Sequence, residues 1–237
     1  MKKMLILAAV GLALLAVAAG CGLLDATSGI SISLPEQSFD FSLDANQART
    51  QLQQFLASQG PPLNQIDLTG QTEIPAQVCD GGVCVDVPRI NETFEIELPA
   101  QQVDLSNEPD LRDYVAAGKV KSVYPEYIKY ELDANTLNFD LPSADIYMDQ
   151  HGTQTLGDSA DYIARLDSIQ AGSTAPGDLQ FTSDGRDLMS SHIIPGLKFS
   201  MLGKAGVTVD TDQTRTIPGG QLSGRIKVKL KFTVDPI

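Results

Sequence analysis

The sequence predicts a mainly β protein, an antiparallel β-sandwich with two short α-helices inserted in its first half. Three observations carry that reading. Near the C-terminus, Leu222, Gly224, Ile226, Val228, Leu230, Phe232 and Val234 alternate strictly with Ser223, Arg225, Lys227, Lys229, Lys231 and Thr233, the period of a strand with one buried face. Ile30, Ile32 and Leu34, then Phe39, Phe41 and Leu43, repeat the pattern at the start of the domain. Helical spacing is confined to two stretches.

The first helix is signalled by Asp44 with Gln47 three residues later, the spacing of a capping box. Ala48, Leu52, Phe55 and Leu56 then recur along one face until Gly60 and Pro61 stop the run. The second takes Ser106 or Asn107 as its cap and Pro109 in its first turn. Leu111, Tyr114 and Val115 share a face, and Gly118 lies past the end.

Turn chemistry fixes three expected hairpins. In Cys79-Asp-Gly-Gly-Val-Cys84, a Gly81-Gly82 turn sets Cys79 opposite Cys84, within reach of a disulfide. A thiol pair that cycles needs a helix N-terminus or a basic neighbour to lower a thiol pKa, and the sequence places neither beside these two. A turn at Ala134-Asn135 pairs Leu132 with Leu137, Tyr130 with Phe139 and Ile128 with Leu141, all apolar. A turn at Pro218-Gly219 puts Asp212 opposite Arg225 and Asp210 opposite Lys227. Lys229 and Lys231 are left facing Thr208 and Gly206, so any partner that docks on the basic face does so there. Otherwise the stripe is a solvated sheet face guarded by lysines.

The N-terminus sets the compartment. Lys2 and Lys3 precede an apolar run from Met4 to Ala19, too short for the roughly 20 residues of a spanning helix and suited to a signal peptide. The run ends in Ala18-Ala19-Gly20-Cys21. This resembles the lipobox of bacterial lipoproteins, and the resemblance implies cleavage after Gly20 and lipid on Cys21. The expected organisation is a signal peptide over residues 1–20, a lipidated tether over 21–29 and a β-sandwich domain over 30–237. Localisation follows as the bacterial cell envelope, facing the periplasm or the exterior. Gly22 after the Cys, in place of Asp, resembles the outer-membrane pattern of two-membrane cells. Without Lys2 and Lys3, 15 basic residues stand against 30 acidic ones, a formal charge of −15. That balance argues against nucleic acid and anionic lipid as main partners.

Catalytic constellations are sparse. The chain has only two His, at 151 and 192, and none of G-x-S-x-G, a Walker loop, H-E-x-x-H or G-x-G-x-x-G. Asp149 and His151 are spaced to share a strand face, yet a metal needs three or four ligands. Asp210 and Asp212 match half of a calcium loop without its Gly and terminal Glu. The run Asn135-Thr-Leu-Asn-Phe-Asp-Leu-Pro142, then Ile169-Gln-Ala-Gly-Ser-Thr174, a pause at 184–192 and Leu197-Lys-Phe-Ser-Met-Leu-Gly203 before the basic strand resembles LEA-type-2 (LEA14-like) sandwiches. That resemblance covers under half of the chain and implies a fold with no catalytic residues. The expected function is a non-enzymatic, membrane-anchored envelope lipoprotein that binds or scaffolds other envelope components, without a cofactor. The alternative is a carrier of an apolar ligand such as a lipid, held between the sheets.

Overall fold

The computed structural model describes residues 29–237; Cys21 and the apolar segment before it lie outside the described residues. In chain order the elements are β1 (Ile30–Ser33), β2 (Gln37–Asp44), α1 (Asn46–Ser58), β3 (Gln77–Asp80), β4 (Val83–Asp86), β5 (Asn91–Asp104), α2 (Arg112–Ala116), β6 (Val120–Asn135), β7 (Ala144–Gln150), β8 (Asp161–Leu166), β9 (Gly177–Phe181), α3 (Gly185–Ile193), β10 (Lys198–Asp210) and β11 (Gln221–Val234). Mainly β, antiparallel and with few helices, the architecture has the class that alternation implied.

Nine strands form one antiparallel sheet in the order β1, β11, β6, β9, β8, β7, β10, β5, with β2 also on β11. β1 and β2 share one edge of β11. Ile30–Ser33 pairs with residues 234 to 231 and Gln37–Asp44 with 228 to 221; the ladder breaks around Pro35, which has no N–H to give it. The sheet curls as a half-barrel and wraps its inner face around the core, where Leu43, Ile96, Ile128, Phe199, Phe232 and their neighbours are almost wholly buried.

Helix α1 lies against edge strand β5 with Ala48, Leu52 and Leu56 buried, and the Phe55 and Phe94 rings meet edge to face at 6.3 Å. Asp44 accepts from the N–H of Asn46 at 2.9 Å, so it satisfies a helix-start donor as expected. Gln47 does not complete a capping box. Its amide reaches β5 instead, bonding the backbone of Glu97. At the second predicted helix, a turn precedes α2, Leu111 is buried at its N-cap, and Gly118 closes it with φ +63°, a conformation that favours glycine.

Two predicted hairpins are replaced by longer-range pairing. β6 does not reverse at Ala134-Asn135. It runs on beside β11, with Thr136 N–H donating to Gln221 O at 2.8 Å and Asn138 N–H to Gly219 O at 3.2 Å. The Asn135 side chain meanwhile donates to the carbonyls of Gln170 and Ser173. Leu132 therefore faces Gly224, Tyr130 faces Ile226 and Ile128 faces Val228, while Leu141 bridges Ile169. Likewise β10 and β11 do not pair with each other: β10 lies between β5 and β7, and β11 between β6 and the β1/β2 edge. The cause is ladder length. Strand β11 finds partners for nearly its whole length on β6, with register shifts that absorb the curl.

Candidate functional site

The β3–β4 hairpin stands apart from the main sheet as a two-stranded unit. Its register pairs Cys79 with Cys84 and Asp80 with Val83 around Gly81-Gly82, and the two sulfurs are bonded. Side-chain alternation places Val78, Asp80, Val83 and Val85 on one face. That face looks onto Pro61 and Pro62 across an open cleft of about 230 Å³. Val83 is 68% exposed and Val85 49%, a high exposure for adjoining aliphatic side chains. At its base, Val87 N–H donates to Ala76 O at 2.8 Å and Ile74 N–H to Arg215 O at 2.8 Å. The Arg215 guanidinium donates to Pro75 O at 2.6 Å. These bonds fix the hairpin to the segment that leads into β11.

The basic face of β11 carries counter-charges from elements other than β10. Arg225 pairs with Asp133 at 2.9 Å, Lys227 with Glu131 at 2.6 Å and Glu36 at 3.8 Å, and Lys229 with Glu126 at 3.0 Å. Glu126 also accepts from the Ser33 hydroxyl at 2.9 Å. Lys229 and Ser33 together hold the Glu126 carboxyl below its usual range, and Asp133 pushes Arg225 up. The expected partners Asp210 and Asp212 bind Arg89 instead, at 3.1 and 3.0 Å. Lys229 faces Tyr127 and Lys231 faces Tyr124, not Thr208 and Gly206. Exposed Lys231 makes no ion pair among the described residues.

Both histidines border one polar pocket of about 300 Å³ between the end of β7 and α3, together with Asp149, Ser159, Ser191 and Lys198. Asp149 is buried at its floor, where it accepts from Gln150 N–H at 2.7 Å and from the Ser159 hydroxyl at 2.9 Å. His192 bonds Asp161 at 2.7 Å, and Lys198 bonds Asp104 at 2.7 Å. Lys198, with Ser106, holds Asp104 far below the carboxylate range. The Ser191 hydroxyl donates to the Leu188 carbonyl and Ser159 to Asp149, so neither serine is aimed at an imidazole. Among the described residues, no three His, Cys, Asp or Glu side chains are grouped to hold a metal ion. The polar groups close a loop and tie α3 to β8. They do not present a nucleophile with its base.

Inside the curl is a small apolar cavity of about 30 Å³, lined by Phe41, Tyr130, Leu141, Leu179, Met201 and others. Its size admits a single water-sized group. Strands β2 and β5 approach each other beside it without a ladder between them.

The disulfide was legible in Cys-Asp-Gly-Gly-Val-Cys. The exposure of its valines was not, because exposure depends on which segments fail to pack there. The convergence of His151 with His192 had no local signal either. No helix among the described residues is long and apolar enough to cross a membrane. No protein-family model and no curated protein matches the chain.

Proposed function

We propose that the protein is a non-enzymatic envelope lipoprotein, held to the membrane by lipid on Cys21, that works as a binding or scaffolding module through the β3–β4 hairpin. One observation carries this reading: a disulfide-braced hairpin outside the main sheet presents Val83 and Val85 to solvent. Exposed adjoining aliphatic groups on a braced element favour contact with a partner. The envelope location and the lipidated tether come from the N-terminal pattern, with the outer membrane as the site where the host has two membranes.

We also read the curled sheet as a sandwich of two layers over one core. Supporting this, β9 links β6 to β8 through only two pairs on one side and three on the other, and the opposite margin between β2 and β5 has no ladder. Such a layer order is compatible with the LEA-type-2 resemblance.

The test places a photo-cross-linking amino acid at Val83 in intact cells, with exposed Gln154, in the loop between β7 and β8, as control. A protein adduct from position 83 and none from 154 is expected; no adduct from position 83 rejects the hairpin as the contact element. Cys21→Ser tests the anchor. The variant should leave the membrane fraction, because acyl chains contribute about 0.8 kcal/mol per buried CH₂. Full retention with processing still after Gly20 rejects the lipoprotein reading.

A carrier role is the second reading, favoured by the apolar lining of the internal cavity and the ladder-free margin beside it. At about 30 Å³ the cavity holds no acyl chain until β2 and β5 part. Native mass spectrometry of protein purified from its host decides: a retained lipid mass supports the carrier, and a bare chain rejects it.

A further inference from the structure

The binding-module reading leaves the partner's chemistry open, and the surroundings of the hairpin narrow it. The cleft between the Pro61-Pro62 corner and the hairpin is walled by Pro61, Pro62, Val78, Val83 and Val85, with Asp80 and Gln65 at its rim. At about 230 Å³ it falls below the roughly 300 Å³ at which small-molecule sites begin. It suits one or two aliphatic side chains better than a cofactor. Its walls are stiff, since two prolines form one side and a disulfide-bonded hairpin the other, so little ordering cost accompanies filling it.

Charge supplies the second constraint. From Thr50 to Pro88 the chain has no Lys and no Arg, while it carries Asp67, Glu73, Asp80 and Asp86. Asp80 and Asp86 belong to the hairpin itself, and Asp86 accepts from the Gln77 amide at 2.8 Å without meeting a cation. Asp80 lines the apolar cleft and Asp86 sits opposite Gln77 on the other face of the hairpin, while Arg215 at the base is committed to the Ile74 and Pro75 carbonyls. Electrostatic complementarity then asks for cations around the inserted side chain.

Position supplies the third. The chain enters the described structure beside the C-terminal end of β11, where Ile30 pairs with Val234. The hairpin base is fixed next to Arg215 and Thr216, ahead of the other end of β11. Fourteen residues of strand span about 45 Å at roughly 3.3 Å each. A tether at residues 21–29 therefore joins the domain about one strand length from the hairpin base, a separation that favours a protein over lipid head groups as the occupant of the cleft.

We propose that this cleft receives an aliphatic side chain of a second envelope protein, carried on a segment flanked by Lys or Arg. This inference rests on the binding-module reading.

The probe is a fluorescein-labelled synthetic peptide of alternating lysine and leucine, titrated by anisotropy against the full mature protein in low and high salt. An alternating glutamate and leucine peptide is the control. Wild type should bind the cationic peptide, and more weakly as salt rises. Val83→Ser with Val85→Ser should lower affinity at least tenfold, and Asp80→Asn with Asp86→Asn at least threefold with a flatter salt dependence. Both valines are exposed, so the fold should survive, which circular dichroism verifies. Equal binding by wild type and the valine variant reduces the effect to general attraction by an acidic protein and overturns the proposal; so does no binding at all. Binding to phosphatidylcholine vesicles that the valine variant abolishes would make the surface a membrane contact and overturn it too. If the peptide fails while position 83 still yields a protein adduct in cells, the partner chemistry is wrong and the binding-module reading stands. Silence in both experiments rejects both.

Discussion

Gln47 of α1 clasps the backbone of Glu97 on edge strand β5 from both sides: its Oε1 accepts from Glu97 N–H at 3.1 Å and its Nε2 donates to Glu97 O at 3.3 Å. One turn later Gln51 Nε2 donates to Glu95 O at 2.6 Å. Two side-chain amides thus stand where a neighbouring strand would, at a margin that β2 approaches without pairing. An open strand edge invites pairing with other chains. Gln47→Ala with Gln51→Ala should cost about 1 kcal/mol per side chain, read as a lower urea midpoint. Amide exchange at Glu97 should rise selectively. Unchanged exchange there would show that the clasp does not protect the edge.

Helix α1 depends on its buried face more than on its ends, which lack a side-chain cap from Ala45 and any basic residue in the last turn. Leu52 is fully buried at the centre of that face. Leu52→Ala should cost roughly 2 to 5 kcal/mol through lost transfer energy and the cavity left behind. Equilibrium urea unfolding measures it, and a cost under about 1 kcal/mol would mean that α1 can settle into the gap.

Faces were legible in the sequence, whereas partners were not. Ile128, Tyr130, Leu132, Leu137 and Leu141 are buried as alternation demanded, because a two-residue period fixes the face irrespective of what lies alongside. A short turn at Ala134-Asn135 was the local solution. The chain took the longer ladder with β11, whose gain depends on residues about 90 positions away. Helix α3 escaped for a different reason. Gly185, Met189 and Ile193 are its buried positions, spaced four apart, yet Gly, Ser190 and Ser191 are weak helix formers. Gly185 is there because a Cβ would run into the Ile163 carbonyl, a close approach that no local pattern announces.

Cys79 and Cys84 close a loop of sequence separation 5, for which the chain-entropy model gives only about 2 kcal/mol. Labelling of unreduced, unfolded protein with a thiol reagent should therefore find no free thiol at either position, while Cys79→Ser with Cys84→Ser should leave the main sheet folded. An isolated two-stranded hairpin is marginal in water, so amide exchange should rise within 77–86 and little elsewhere. Global unfolding of the double variant would show that the hairpin is part of the core after all.

The counter-charges on β11 argue that its basic face is structural. Lys229 is engaged by Glu126, and Lys231 lies next to it on the same face. A folded Lys229→Glu, Lys231→Glu double variant should keep the wild-type yield of adduct from position 83. Loss of that adduct would transfer the docking surface from the hairpin to the stripe.

The same pairs set the response to acid. Lys229 with Ser33 lowers the Glu126 pKa, and Lys198 with Ser106 lowers that of Asp104 much further. Both carboxyls titrate lower in the folded chain than in the unfolded one, where values near 4.3 and 3.9 are usual. Each therefore contributes stability that is complete above about pH 5 and is lost as pH falls through its folded value. Asp104 holds its contribution to the lower pH. Thermal midpoints should be level between pH 7 and pH 5 with respect to these two groups, and then decline. Lys229→Met should lower the plateau slightly, since its ion pair is partly solvated, and its deficit relative to wild type should shrink as Glu126 becomes protonated. Melting curves of both proteins from pH 7 to pH 2 measure this directly. A deficit that stays constant across the range would mean that Lys229 acts through its aliphatic stem and not through its charge.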